Sequence, residues 1–458
     1  MTSHDTHADP TLLLQIEKLV HGGRGLAHRE SLALFVKGVL PGETVRVQLG
    51  RIKKGYGEAQ LLDVVQPSPD RVAALCPVYG WCGGCRLQHA SATAQLELKR
   101  AILAETLARI GGLTDVHVPP VTPSPEVYGY RSRARLAVAV PSRGAPSLAY
   151  FEEGSHRPVP IAHCPLLAPR LNEAVAYLNQ MLGQMLGRSR AMASQLREIR
   201  LGLSVRTAEV VLQYQADRCT RAQADAWFER VRAGFAGVKG QVMIAGRGPQ
   251  QRRWMEGDAT LTEHVGPLRL RCSDRSFVQA NWKLNETLVE TVTTWAMEAH
   301  PDVPLRVPDA PLRVLELYAG IGNFGLALAR EGALVTFVEG NASALGDARY
   351  NARVNHIGRC RFRSESAEAF LAGSAPGDYD LVLMDPPRAG LSQDALAGLV
   401  HLKAGRILYL SCDPPTVARD LRAMREAGYR VTRLQAFDMF PQTMHIETLV
   451  ELAVSAHE

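Results

Sequence analysis

One cysteine and one carboxylate stand in settings that suit covalent chemistry. Cys412 sits in Leu410-Ser411-Cys412-Asp413-Pro414-Pro415, directly after an apolar run. Glu447 closes Asp438-Met439-Phe440-Pro441-Gln442-Thr443-Met444-His445-Ile446-Glu447. A thiolate can add to an electrophilic carbon, and a carboxylate can then remove the proton that blocks turnover. Both groups lie downstream of a glycine-rich turn, Glu316-Leu317-Tyr318-Ala319-Gly320-Ile321-Gly322-Asn323. A second group of thiols lies far upstream. Cys76, Cys82 and Cys85 follow C-x5-C-x2-C spacing, and Cys164 in His163-Cys164-Pro165 can supply a fourth ligand. Four thiolates fit a [4Fe–4S] cluster or a structural zinc; the irregular spacing and remote fourth ligand are unlike the paired C-x2-C of zinc ribbons.

The glycine turn follows an apolar strand and opens a helix, so Gly320 and Gly322 let the backbone turn tightly and approach a ligand. With Gly325 the run also matches G-x-G-x-x-G, which leaves a nicotinamide or flavin cofactor open. Glu339 ends the next strand, where an acid accepts hydrogen bonds from ribose hydroxyls, and either cofactor class carries a ribose. Glu316, four residues before Gly320, favours S-adenosylmethionine. Asp385-Pro386-Pro387-Arg388 ends a further strand; a similar motif occurs in enzymes that methylate exocyclic amines.

Cys412 lies between a strand and a helix, so exposure to ligand is expected, with the helix N-terminus lowering the thiol pKa. The plainer alternative is a buried cysteine acting as a small hydrophobe. Methylation at C5 of uracil needs such a thiol. C5 is too weak a nucleophile until a thiolate adds at C6 and makes it an enolate carbon. A base must then take the C5 proton so that elimination frees the thiol. Glu447 is the candidate base; its alternative is a salt-bridged acid near a strand start.

These residues need elements to position them. At 458 residues the chain is too long for one core, so two or three domains are expected. A net charge of +6 is a mild basic bias, consistent with a polyanionic partner. Residues 1–10 are polar and are not a signal peptide, and no apolar run reaches the roughly 18 residues of a membrane span, so a cytoplasmic protein is expected. In that reducing compartment the 8 cysteines do not form a disulfide framework. Residues 11–66 read as a small β-barrel with strand runs at Leu12–Val20, Leu32–Val36, Glu43–Leu49 and Tyr56–Val65. Residues 91–112 read as one helix, and 126–272 as mixed α+β. Two stretches there mix arginines with aromatics, Tyr128–Arg135 and Arg247 to Trp254, which suits RNA contact. From about 276, apolar strands alternate with helices as in a doubly wound parallel sheet.

On these motifs the chain resembles, over nearly its whole length, the RNA uracil-C5 methyltransferases, most closely the iron–sulfur branch acting on 23S ribosomal RNA. The resemblance implies an α/β, Rossmann-like S-adenosylmethionine-dependent catalytic domain at 276–458. It implies an N-terminal OB-like TRAM barrel at 1–68 that binds RNA. Between them, at 69–275, it implies an α+β [4Fe–4S] domain interrupted by a helix at 93–118 that packs on the catalytic domain. Cys76, Cys82, Cys85 and Cys164 match the cluster ligands, Cys412 the nucleophile and Glu447 the general base. Phe277-Val278-Gln279-Ala280-Asn281 looks like the family's F-x-Q-x-N motif, which implies that Gln279 contacts S-adenosylmethionine; Tyr318, Asn323, Glu339, Ser366 and Asp385 fall on further cofactor positions. Two positions depart from the pattern. Asp413 replaces an Asn after the nucleophile, and Ser366 stands where an Asn or Asp often meets the adenine. A monomer is expected. The alternatives are the same methylation on the T-loop of transfer RNA, amino-group methylation through Asp385-Pro386-Pro387-Arg388, and a non-methylating RNA-binding iron–sulfur protein or dinucleotide enzyme.

Overall fold

The computed structural model describes residues 11–142, 144–185, 188–300 and 310–454. The polar run at 1–10 lies outside them.

The first sheet comprises β1 (Thr11–Gln15), β2 (Lys18–Val20), β3 (Arg24–Arg29), β4 (Leu32–Lys37), β5 (Thr44–Lys53) and β6 (Tyr56–Gln66), in the order β1-β5-β6-β4-β3-β2. Alternate residues such as Val45, Val47, Leu34 and Val36 point into its core. The run expected at Leu12–Val20 is two strands, because Ile16 N turns aside to Glu43 O and Glu17 N to Leu26 O. β3 was not among the expected strands; Arg24-Gly25-Leu26-Ala27-His28-Arg29 has no β-branched residue, and its pairing with β4 holds it extended.

Helix α1 (Ala92–Gly111) matches the periodicity expected over 91–112. The Ser91 side chain accepts from Ala94 N, and Gly112 ends the helix in the left-handed region at φ 63°. Its buried face starts polar, with Gln95 and Lys99, and continues apolar through Ile102, Leu103 and Leu107.

The second sheet contains β7 (Arg133–Ala139), β8 (Ser147–Phe151), β9 (Pro158–Pro160), β10 (Leu196–Leu203), β11 (Val210–Ala216), β12 (Val238–Ala245) and β13 (Arg252–Gly257), ordered β13-β12-β11-β10-β7-β8-β9. Helices α2 (Pro169–Gly183), α3 (Arg188–Gln195) and α4 (Arg221–Gly234) accompany it, and α4 starts in a Thr220–Gln223 capping box. A hairpin of β14 (Thr260–Val265) and β15 (Leu268–Ser273) follows.

The last sheet holds β16 (Arg313–Leu317), β17 (Leu334–Val338), β18 (Cys360–Arg363), β19 (Leu381–Met384), β20 (Arg406–Ser411), β21 (Tyr429–Phe437) and β22 (Glu447–Val454). Its helices are α5 (Trp282–Met297), α6 (Gly325–Arg330), α7 (Ala342–Val354), α8 (Ala367–Ala372), α9 (Gln393–Leu402) and α10 (Pro414–Glu426). The order is β18-β17-β16-β19-β20-β22-β21. The sheet is mixed rather than wholly parallel as expected: β22 slots antiparallel between β20 and β21. A β21–β22 hairpin can reach that place without a crossover helix. Strand order reverses between β16 and β19, which opens a crevice at the carboxyl edge of the sheet. Helix α1 packs against α10 on one face of this sheet, and its Ile102, Leu103 and Leu107 join the same core as Val417, Ala418 and Leu421.

Candidate active site

The register of the last sheet aligns the candidate residues. Leu317 pairs with Val338 and with Met384, and Met384 pairs with Tyr409. Each of these strands therefore releases its next residues, Tyr318, Glu339, Asp385 and Ser411-Cys412, along one rim. β22 runs the other way and starts at that rim with Glu447. Ser411 pairs with Thr448, so continuing the antiparallel register by one residue puts Cys412 opposite Glu447. The two are 35 positions apart in the chain, and the ladder makes them neighbours.

At the glycine turn Tyr318 takes φ +58°, a left-handed conformation that costs a non-glycine residue about 1–3 kcal/mol. Glu339 holds the turn from the neighbouring strand: its carboxylate accepts from Gly320 N at 2.9 Å and from Asn341 N at 2.6 Å. Gly325 begins α6 directly above Glu316, and a Cβ there would run into the Glu316 carboxylate and the Phe337 ring. Glu316 is buried, and its Oε2 finds no hydrogen-bond partner among the described residues. Burial pushes its pKa up to about 8, against the pull of the Gly325 amide. Gln279, Tyr318, Gly320, Asn323 and Asp385 line one small pocket beside Phe277 and Trp282. The indole Nε1 of Trp282 is buried and unpartnered among the described residues. Asn323 also exchanges hydrogen bonds with Asn285 of α5, 2.9 Å each way. Ser366 lies outside the pocket lining; it is the N-cap of α8, accepting from Ala369 N at 3.2 Å.

Around Cys412 the expectation of a lowered thiol pKa is overturned. Burial pushes the thiol up to about 12, and the carboxylates of Glu447, Asp385 and Asp413 add to that against Arg388. The helix N-terminus offers little relief. α10 opens with Pro414-Pro415, which have no N–H. The first amide that could point outward, Thr416 N, is taken by the Asp413 carboxylate, which also accepts from the Thr416 hydroxyl at 2.7 Å. The replacement at 413 is thus an N-cap as well as a charge.

Glu447 is buried, with Oε1 unpartnered among the described residues. Burial first, then the Asp385 carboxylate, pushes its pKa well above the carboxylate range. Burial likewise raises Asp385 to about 7. Two carboxylates that cannot both ionise freely stand beside the thiol. The reading of residues missed His445 and Arg388: Arg388 Nη2 lies 3.2 Å from His445 Nδ1, and burial with nearby cations lowers His445 to about 4. The barrel reaches this rim too, where His21 Nε2 is 3.8 Å from Asp413.

Cys76, Cys82, Cys85 and Cys164 line one cavity of about 40 Å³ with Tyr79, Tyr150, Ile161, Leu166 and Arg131. All four thiols are free. Among the described residues no group of three or more His, Cys, Asp and Glu is drawn together to hold one metal ion. Nor is any helix long and apolar enough to cross a membrane among those residues.

Comparison with known proteins places the chain. The family model for tRNA (Uracil-5-)-methyltransferase matches residues 91–454, and that for the TRAM domain matches 11–62. The 23S rRNA (uracil(1939)-C(5))-methyltransferase RlmD of Shewanella amazonensis is 35% identical over 439 residues, covering 95% of this chain and 94% of that one. The protein of the same name from Alkalilimnicola ehrlichii is 34% identical over 453 residues, 95% of each. The crystal structure of Pyrococcus abyssi tRNA (uracil-54, C5)-methyltransferase with S-adenosyl-L-homocysteine superposes with a TM-score of 0.74 at 26% identity, over 96% of this chain and 100% of that one.

Proposed function

The chain belongs to the tRNA (uracil-5-)-methyltransferase family, and from that premise we propose that it methylates C5 of a uridine in 23S ribosomal RNA through a covalent bond between Cys412 and C6. It is an S-adenosylmethionine-dependent RNA uracil-C5 methyltransferase with an N-terminal TRAM domain. The observation that carries the covalent reading is the register that sets Cys412 opposite Glu447 at the rim of the sheet, beside the glycine-turn pocket.

Gln279, Tyr318, Asn323 and Asp385 would hold the cofactor, with Glu339 orienting the turn and Ser366 near the next strand end. The unpartnered Trp282 Nε1 and the side-chain-free Gly320 fit a polar ligand seated there. S-adenosylmethionine supplies an electrophilic methyl group. The Cys412 thiol loses its proton to water, and its sulfur bonds C6 of the uracil. The electron pair released to C5 would form the bond to the methyl carbon as that carbon's bond to the sulfonium sulfur breaks, its electron pair staying on the sulfur of S-adenosylhomocysteine. Glu447 takes the C5 proton, C5=C6 re-forms, and the C–S pair departs with Cys412 as thiolate. A carboxylate with a raised pKa is, once ionised, a stronger base than an exposed one.

Cys76, Cys82, Cys85 and Cys164 would hold a [4Fe–4S] cluster. Zinc would require all four sulfurs at about 2.3 Å from one point, whereas each iron of a cluster takes one thiolate. The shared cavity is what supports this ligand set. Methyl transfer moves no net electrons, so such a cluster would tie residues 76–85 to 164 rather than turn over. The reading divides the chain at 1–68, 69–275 and 276–458.

Relatives that match nearly the whole chain and carry the ribosomal name favour 23S RNA. The Pyrococcus protein, named for transfer RNA, supports a second reading with the same chemistry. Incubation with 5-fluorouridine-substituted ribosomal and transfer RNA separates them, because fluorine at C5 blocks proton removal. A heat-stable protein–RNA band that vanishes in Cys412→Ala is expected with ribosomal RNA. A band with transfer RNA alone would move the target, and no band with either would sink the covalent step.

A further inference from the structure

The segment 438–446 joins Phe437 to Glu447, which face each other across β21 and β22. Its path fixes where the Glu447 carboxylate begins, and most of its anchors come from outside the last sheet. Lys99 of α1 is fully buried, and its Nζ donates to Asp438 Oδ1 at 2.5 Å and to Phe440 O at 3.1 Å. One helical turn earlier, Gln95 makes a two-way amide pair with Gln442: its Nε2 donates to Gln442 Oε1 at 3.0 Å, and its Oε1 accepts from Gln442 N at 2.8 Å. Gln442 holds φ +69°, a conformation that a free loop would not keep, and its carbonyl accepts from Arg86 N and Leu87 N. Tyr130 OH donates to Pro441 O at 3.0 Å, and Asn281 Nδ2 to Met439 O at 3.3 Å.

A buried lysine is expensive, and a hydrophobic side chain at 99 would pack α1 at lower cost. The amide and the ammonium sit at i and i+4 on the helix face turned to this segment, while the face further along is apolar. We propose that Lys99 and Gln95 are positioning residues for the general base: they hold 438–446 so that Glu447 meets the C5 proton, and they act in proton removal rather than in thiol addition. The inference rests on the roles given above to Cys412 and Glu447.

The test uses the full-length protein, S-adenosylmethionine and the RNA trapped by fluorouridine. Ordinary RNA carrying tritium at C5 reports proton removal by release of label, and a denaturing gel reports the covalent adduct. Glu447→Gln is the reference and should release label slowly while a band builds up on ordinary RNA. Lys99→Met alone leaves Asp438 buried without its partner, so the paired variant Lys99→Met/Asp438→Asn is used, with Gln95→Met as an independent probe. Both should slow label release by about tenfold or more, accumulate the band on ordinary RNA, and keep adduct formation with fluorinated RNA within about threefold of the parent. Release at the parental rate with no band overturns the proposal. So does an equal loss of release and of the fluorinated adduct, which would give Lys99 a role in folding alone. If Glu447→Gln shows no band while Cys412→Ala abolishes the fluorinated adduct, the base assignment falls and this inference falls with it.

Discussion

The protein holds two thiol sites that share burial and differ in their neighbours. Burial raises Cys412, and it raises Cys82, Cys85 and Cys164 as well. Around Cys412 the further influences are the carboxylates of Glu447, Asp385 and Asp413, against one Arg388. Around the upstream cavity they are hydrogen bonds from Gly84, Gln88, Leu166 and Leu167, which lower the thiols, then the other thiols, which raise them, and Arg131, which lowers Cys82 and Cys164. The difference separates two uses of sulfur. On the proposed reading, a lone thiol among carboxylates stays protonated at rest and gives a thiolate only as it bonds to carbon. Four thiolates around one arginine would be short of positive charge, which a cationic cluster would supply.

The comparison breaks most sharply at Cys412. Cys412→Ala is expected to lower methylation by at least about a thousandfold while calorimetry shows S-adenosylmethionine affinity within about twofold. Substantial residual activity would return the amino-methylation route through Asp385 to consideration. On the other side, Cys164→Ser should bring iron and sulfide to background and cost roughly 4 kcal/mol of stability, read by thermal melting. Cys412 should still be trapped by a short fluorinated RNA within about tenfold of the parent. A variant that keeps its iron and its melting temperature would remove Cys164 from the ligand set.

Asp413→Asn sharpens the electrostatic half of the contrast. Asparagine caps α10 as well as aspartate does but carries no charge. Adduct formation at pH 7 should rise about threefold, equivalent to roughly half a pKa unit. An unchanged or slower rate would show that Asp413 does not hold the thiol up. The smallest effect concerns Glu316, whose pKa stands near 8 in the folded protein, above the ordinary carboxylate value. The folded state therefore keeps a proton that the unfolded chain releases. Its stabilising share is complete below the unfolded pKa and is lost as pH rises through about 8, at up to about 1.4 kcal/mol per pH unit. Glu316→Gln cannot lose that proton, so its melting temperature relative to the parent should climb between pH 5 and pH 8.5, by about 2–4 °C for each kcal/mol the parent loses. A constant difference would mean that Glu316 is ionised throughout.

Much of the site was legible because its signals are local. The turn at Gly320 and Gly322, the acid after β17 and the thiol after β20 each depend on a strand ending where a helix begins, and hydrophobic runs with glycine and proline show that directly. Helix α1 was legible for the same reason, from its apolar spacing between Ser91 and Gly112. β3 and the antiparallel placement of β22 were not, since pairing rather than propensity holds them. The thiol pKa was misjudged because a helix N-terminus was counted without asking which amides remained free. Pro414, Pro415 and the Asp413 cap had already used them or removed them.

By itself the sequence determined which groups can react and which elements carry them, because residue type and short-range spacing are properties of a few adjacent positions. Only the tertiary structure decided that Glu447 faces Cys412, that the Asp385 carboxylate lies within electrostatic reach of both, and that Lys99 and Gln95 hold the segment between β21 and β22. Electrostatic and hydrogen-bond energies depend on distance through space. Positions as far apart in the chain as Lys99 and Asp438 acquire that distance only when the sheet and α1 have packed.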